Sequence, residues 1–387
     1  MTSDTFRAHF PALADTVHLC SCSEGAQSDR VITAMAEFMH SWREHGAPWG
    51  RWMEVVEECR LRFARLIHAS PDEVAVVSCA SEGAHQVAST MPLAPGRSAI
   101  VTNDLEFPSI GHVFLAQAEA RGASVRHLAA PDGLVGLDDY RTAVDDGAAL
   151  VSAPLAAYAN GLRLPVRAIA DLAHAAGARL FVDAYQGAGV LSVDVRALDC
   201  DYLVAGALKY LLGAPGIAFL YVRGALLEEH RPLHTGWFGR ADPYAFDPRR
   251  LDFAPTARRF ETGSPAIPAA YAAAAGMSLV EELDMAAVEA HVASLADRLQ
   301  SLLLAEGARL YSPLDPARRG PQVTVHTDRA EELTAFLAAR RILASPRGRA
   351  VRLSLHHYNS VGDVDTAAAA VAAFAREVPL EGAAGGP

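Results

Sequence analysis

FVDAYQGAGVLSVDVRALDCDYLVAGALKYLLGAPGIAFLYV, residues 181–222, contains three short apolar runs separated by turns. The first ends in an acid, Asp183, and the second is followed by a single cation, Lys209. That cation is the only lysine of the chain, against 33 arginines. An Ala- and Arg-rich composition fits a GC-rich coding bias, which turns lysine into arginine wherever a bare positive charge suffices. Lys209 escapes it. Arginine keeps its proton and forms no imine; lysine can lose the one and form the other, more readily where apolar surroundings lower its pKa. A lysine snorkelling at a helix end is the plainer reading, but uniqueness and apolar context together favour a reactive amine.

The pattern continues on both sides. ARLFVDA (178–184), DYLVAG (201–206) and IAFLYV (217–222) are preceded by VAVVS (74–78), SAIVTND (98–104), ASVRHL (123–128) and ALVSAPL (149–155). Helical patterns such as VRAIADLAHAAG (166–177) lie between them. Strands alternating with helices predict an α/β fold with a mostly parallel seven-stranded sheet covered on both faces. Near residue 250 the pattern changes. The amphipathic AAVEAHVASLADRLQSLLLAEG (286–307) is followed by QVTVHT, a helical EELTAFLAARR, VRLSLHHY and another helix. This predicts a large domain over 15–250 and a small α+β domain built from 1–14 and 251–387. The tail EGAAGGP reads as disordered.

The chain has 387 residues, enough for a sizeable core; 51% are hydrophobic and 20% charged, an ordinary globular balance. A net charge of −11 argues against a nucleic-acid surface. MTSDTFRAHF has no signal-peptide pattern, and PAIPAAYAAAAGMSLV meets Glu281 and Glu282 too early to span a membrane. A cytoplasmic protein is expected. Five scattered cysteines, Cys20, Cys22, Cys59, Cys79 and Cys200, form no disulfide framework and read as small buried hydrophobes. His356 and His357 have no carboxylate at ligand spacing, so no metal is expected.

In open α/β sheets ligands bind at the carboxyl ends of strands. Asp183 closes one strand, Gln186 follows three residues later, and Lys209 comes just after the next strand. A Schiff-base lysine with an aspartate for a pyridinium nitrogen is the chemistry of pyridoxal phosphate (PLP). A phosphate site is then needed. SCASEGAHQV (78–87) follows a strand and opens a helix, offering backbone N–H groups and the Ser81 hydroxyl. Alone, Ser81 reads equally well as a helix cap.

These residues, with HLCSCSEGA (18–26), LEFPS (105–109), GWFG (236–239), RFETGSP (259–265) and VRLSLHHYNSVGDVD (351–365), resemble the class V aminotransferase superfamily of PLP enzymes. That superfamily includes cysteine desulfurases, selenocysteine lyases, kynureninases and isopenicillin-N-epimerase-like proteins. The resemblance implies PLP fold type I and a homodimer with active sites at the interface. It implies that Lys209 carries the cofactor as an imine, that Asp183 pairs with the pyridine nitrogen, and that Gln186 bonds the ring oxygen. It places Ala80 and Ser81 on the phosphate and Ser264 on the phosphate of the neighbouring subunit. Arg352 would hold the substrate carboxylate.

The departures matter too. Phe107 stands where desulfurases stack a histidine, so it can stack but moves no proton. Tyr158 occupies the place of an asparagine, with Asn160 nearby, and is assigned to the substrate. The usual Ser/Thr and His phosphate ligands before the lysine are Gly206 and Leu208. ILASPRGRAV lacks the desulfurase cysteine, and no cysteine follows Cys200. The expected function is a PLP-dependent lyase on an amino acid, by β-elimination and perhaps C–S cleavage of a cysteine conjugate. Alternatives are an epimerase, an aminotransferase or a decarboxylating oxidative deaminase. A non-catalytic binding module would not need the lone lysine.

Overall fold

The computed structural model describes residues 1–378 and Leu380; the EGAAGGP tail lies outside the described residues. Each of the seven expected runs is a strand of one sheet: β1 Val74–Val77, β2 Ala99–Asn103, β3 Ser124–Leu128, β4 Ala148–Pro154, β5 Arg179–Asp183, β6 Tyr202–Gly206 and β7 Ala218–Val222. Their order is β1-β7-β6-β5-β4-β2-β3. Only β7 runs against its neighbours. The central runs are buried along their whole length rather than alternating because both faces are covered, whereas the edge strand β3, SVRHL, is partly exposed. On one face, helices Ala80–Thr90 and Pro108–Arg121 bury Phe114, Phe181 and Leu220. On the other, helices Trp49–Leu66 and Val166–Ala175 bury Phe63, Ile169 and Phe219, with Phe63 stacked on Phe219 at 4.5 Å. This is the α/β architecture of PLP fold type I.

Helix Ile267–Glu281 packs on helices Asp29–His45 and Trp49–Leu66. After it come helix Met285–Ala305, a three-stranded antiparallel sheet (Gln322–His326, Ala350–Ser354, Ser345–Pro346) and helix Val361–Glu377. The N-terminal segment ties this part to the large sheet. Arg7 pairs with Asp363, and Val17–His18 pairs in parallel with Ile342–Leu343. Residues 19–25 then cross to the lysine loop: Ser354 N–H donates to Leu19 O at 2.8 Å, and Gly25 N–H to Leu208 O at 2.9 Å. Gly25 is required there, because a Cβ would collide with the carbonyl of Lys209.

Candidate active site

A cavity of about 310 Å³ opens at the carboxyl ends of the parallel strands. It is placed by backbone that the strands cannot continue. At the end of β5, Asp183 Oδ1 accepts the Tyr185 N–H at 2.8 Å, turning the chain. At the end of β6, Leu212 adopts φ +60°, and Gly213 N–H closes on Ala207 O at 2.8 Å. This tight loop, held against a helix, projects Lys209 into the cavity.

The Lys209 ammonium lies 4.2 Å from the Tyr185 ring centroid and 5.5 Å from that of Phe107. Burial lowers its pKa to about 8, partly opposed by the charge of Asp183. Asp183 is itself buried, which raises its pKa, while Lys209 and the Tyr185 N–H act the other way. Behind it lies a second buried acid, Glu106. Burial and the neighbouring Asp183 push Glu106 up to about 8, against hydrogen bonds from Ser152 Oγ (2.7 Å) and the Phe107 N–H (3.1 Å). Glu106 is thus protonated near neutrality, while Lys209 and the Tyr185 N–H favour the charged form of Asp183.

Helix Ala80–Thr90 starts at the cavity with Cys79 as its N-cap, and Ala80 and Ser81 line the wall. The first N–H groups of a helix have no partner within it and carry its positive dipole end. Gly83 lets this helix lie close on β6, where a Cβ would stand 3.0 Å from Val204. Gln186 donates through Nε2 to Cys22 O at 3.1 Å, and its Oε1 is buried without a partner.

Arg352 is 1% exposed and forms no salt bridge to a carboxylate among the described residues. Its guanidinium donates to Tyr158 O at 2.9 Å and to Ser23 Oγ and Ser345 Oγ at 2.8 Å each, while Nε is buried and unpartnered. A buried cation held only by neutral acceptors leaves room for an anion. Tyr158 also lines the cavity, edge-on to Phe107 at 5.1 Å.

Thus Lys209, Asp183, Gln186, Ala80, Ser81, Phe107, Tyr158 and Arg352 converge on one cavity. Ser264 does not: it is exposed in a separate depression beside Glu82 and Thr262. Asn160 is a turn residue, bonded to Gly133 O and the Leu162 N–H. Among the lining residues that the sequence reading did not assign to the site are Cys22, Cys79, Tyr185 and Arg347. Cys22 and Cys79, read as buried hydrophobes, both reach the cavity, and Cys79 is exposed. Tyr185 was legible as the bulky residue in DAYQ, and Arg347 as the cation in SPRGR.

An amine of lowered pKa, a buried carboxylate, a helix N-terminus, an amide with spare bonding capacity and a carboxylate-seeking arginine fit PLP and an amino acid. The arrangement defines a PLP-dependent enzyme of fold type I. Residues 25–367 match the family model described as Aminotransferase class-V. The chain belongs to that family, and its cofactor is pyridoxal 5′-phosphate. It is 35% identical to an uncharacterized aminotransferase, YcbU, of Bacillus subtilis, over 92% of this chain and 94% of that one. It is 30% identical to a kynureninase of Deinococcus radiodurans, over 98% of this chain and 94% of that one. Among solved structures, the apo cysteine desulfurase of Thermococcus onnurineus NA1 superposes with a TM-score of 0.87 at 22% identity, covering 98% and 99% of the two chains. Among the described residues no helix is long and apolar enough to cross a membrane.

Proposed function

We propose that this enzyme is a lyase that takes an α-amino acid, removes its Cα proton and expels a substituent from Cβ. The leaving group is a thiolate, of the kind released from an S-substituted cysteine. The observation that carries the reading is the wall opposite Lys209, where Phe107 and Tyr158 pack edge to face. No imidazole lines the cavity. A thiolate leaves as a stable anion and needs no acid to protonate it, whereas an amine or alkoxide would.

PLP bound at Lys209 supplies an electron sink for negative charge developing at Cα. The protein's own groups do the rest. Arg352 grips the carboxylate and so fixes Cα within reach of Lys209 Nζ. Lys209, with its pKa near 8, accepts the Cα proton. Asp183 holds a negative charge at the ring nitrogen, and Glu106 behind it retains its proton. The likeness to a kynureninase over nearly the whole chain supports lyase chemistry. A structural neighbour described as a cystine C–S lyase is 19% identical and likens the fold alone.

The likeness to an aminotransferase favours transamination as the second reading. Purified enzyme is incubated with S-substituted cysteines and ordinary amino acids. Pyruvate, ammonia and thiol in equal amounts are the expected products. A 2-oxo acid formed only when an amino acceptor is added would favour transamination, and carbon dioxide release would point to decarboxylation. The same reading takes the enzyme as a homodimer, with Ser264 directed to the partner subunit's cofactor. The exposed Leu233, Phe246 and Leu251 support a covered face, and sedimentation tests it.

A further inference from the structure

Two neighbouring strand ends carry a large side chain beside a missing one. β5 and β6 run parallel with Asp183 opposite Val204, and the Ala184 N–H donates to Val204 O at 2.9 Å. Tyr185 therefore leaves the sheet next to Gly206. A Cβ built on Gly206 would fall on the Tyr185 ring and its hydroxyl oxygen, so residue 206 has no room for any side chain. The tyrosine has taken the space that a serine or threonine there would use. Leu208, two residues on, has no hydrogen-bonding group either.

The Tyr185 ring lines the cavity, and its hydroxyl bonds no described residue. Cys79, the N-cap of helix Ala80–Thr90, is close enough to act on it electrostatically. Ala80 and Ser81, the first residues of that helix, line the same cavity as Tyr185. Burial, with Asp183, raises its pKa, so it remains a protonated donor at any working pH.

We propose that Tyr185 is a ligand of the cofactor phosphate, its hydroxyl donating across the top of Gly206 in place of a side chain at 206 or 208. This goes beyond the lyase reading and stands or falls independently of it. A neutral phenol gives up the charge of an imidazolium but adds a rigid donor, with only two side-chain torsions to fix.

The test is cofactor binding. The full-length protein is freed of PLP and titrated with PLP and with pyridoxal, which lacks the phosphate, by visible absorbance. Tyr185→Phe keeps the ring and the filled space above Gly206. It is expected to weaken PLP binding about tenfold, the lower range for a hydrogen bond to a charged group. Pyridoxal binding should be unchanged. Inorganic phosphate, competing against PLP, should lose affinity by the same factor. The double variant Tyr185→Ala/Gly206→Ser, which clears the space and restores a hydroxyl, should recover the preference for PLP over pyridoxal that Tyr185→Ala alone loses. Unchanged PLP affinity in Tyr185→Phe, equal weakening of PLP and pyridoxal, or a double variant no better than Tyr185→Ala would each overturn the assignment.

Discussion

At the scale of single residues, the chemistry of Lys209 depends on its charge. A free lysine stays protonated to about pH 10.5; here burial brings the pKa to about 8. Below pH 8 the amine is an ammonium and cannot attack an aldehyde; above it the amine is free. The rate at which the PLP-free protein takes up PLP should therefore rise with pH through a midpoint near 8, as followed by stopped-flow absorbance. A rate still climbing toward pH 10 would show that the amine is not desolvated. Lys209→Arg keeps the charge but should show no visible absorption from bound cofactor, with the circular dichroism of the fold intact. Arg352 makes a different prediction. Arg352→Ala should raise KM for amino acids more than a hundredfold, equivalent to ~3 kcal/mol, while cofactor binding stays normal. Lysine at 352 should not rescue it, because an ammonium lacks the planar fork. Equal weakening of an amino acid and its matching amine would mean that the carboxylate is not the partner of Arg352.

At the scale of elements, two contacts hold the site's floor. The first is the acid pair joining the segment after β2 to the end of β5. Glu106 has a folded pKa raised from 4.5 to about 8. Between those values the folded protein binds a proton that the unfolded chain has released, so its contribution is full below pH 4.5 and is lost as pH rises through 8. Glu106→Gln cannot ionise. Its stability relative to the parent should therefore increase between pH 5 and pH 9, by on the order of 4 kcal/mol. Thermal melts at the two pH values measure this, and a pH-independent difference would refute the raised pKa of Glu106. The second contact seats the lysine loop on helix Ile267–Glu281. Gly276 faces that loop, and a Cβ there would stand 2.5 Å from the carbonyl oxygens of Leu211 and Leu212. Backbone cannot yield as a flexible side chain does. Gly276→Ala should cost about 1–3 kcal/mol of unfolding free energy and also weaken PLP binding, because the displaced loop carries Lys209. Denaturant unfolding together with PLP titration reads both effects, and a fully stable variant with normal affinity would mean that the loop is not fixed from this side.

At the scale of the whole molecule, the site is a seam. Lys209 and Asp183 come from the large sheet, Arg352 from the three-stranded sheet, and residues 19–25 lie between them. Cys22 shows the stitching: its N–H donates to Ser354 Oγ at 2.9 Å, and its carbonyl accepts from Gln186 at 3.1 Å. The spacing between the strand that carries Asp183 and the strand that carries Arg352 is thus set by residues far from both in sequence.

The sequence by itself determined the seven strands, because each is a short apolar or β-branched run between turns. It singled out Lys209 too, because one lysine among 33 arginines is legible without a structure. Asp183 at the end of β5 and the start of helix Ala80–Thr90 were readable for a local reason, since each closes or opens an element, and Arg352 from its place in VRLSLHHYN. Only the tertiary structure decided which distant residues share the cavity. Cys22 and Cys79 share the cavity with Lys209 through chain crossings that leave no local periodicity. Only packing shows that Gly206 is glycine because a tyrosine two residues beyond Asp183 fills its space. Only burial beside Asp183 raises the pKa of Glu106, since the cost of a second buried charge depends on what surrounds both acids. Strand formation is set by nearest neighbours along the chain, whereas desolvation and steric exclusion are set by neighbours in space.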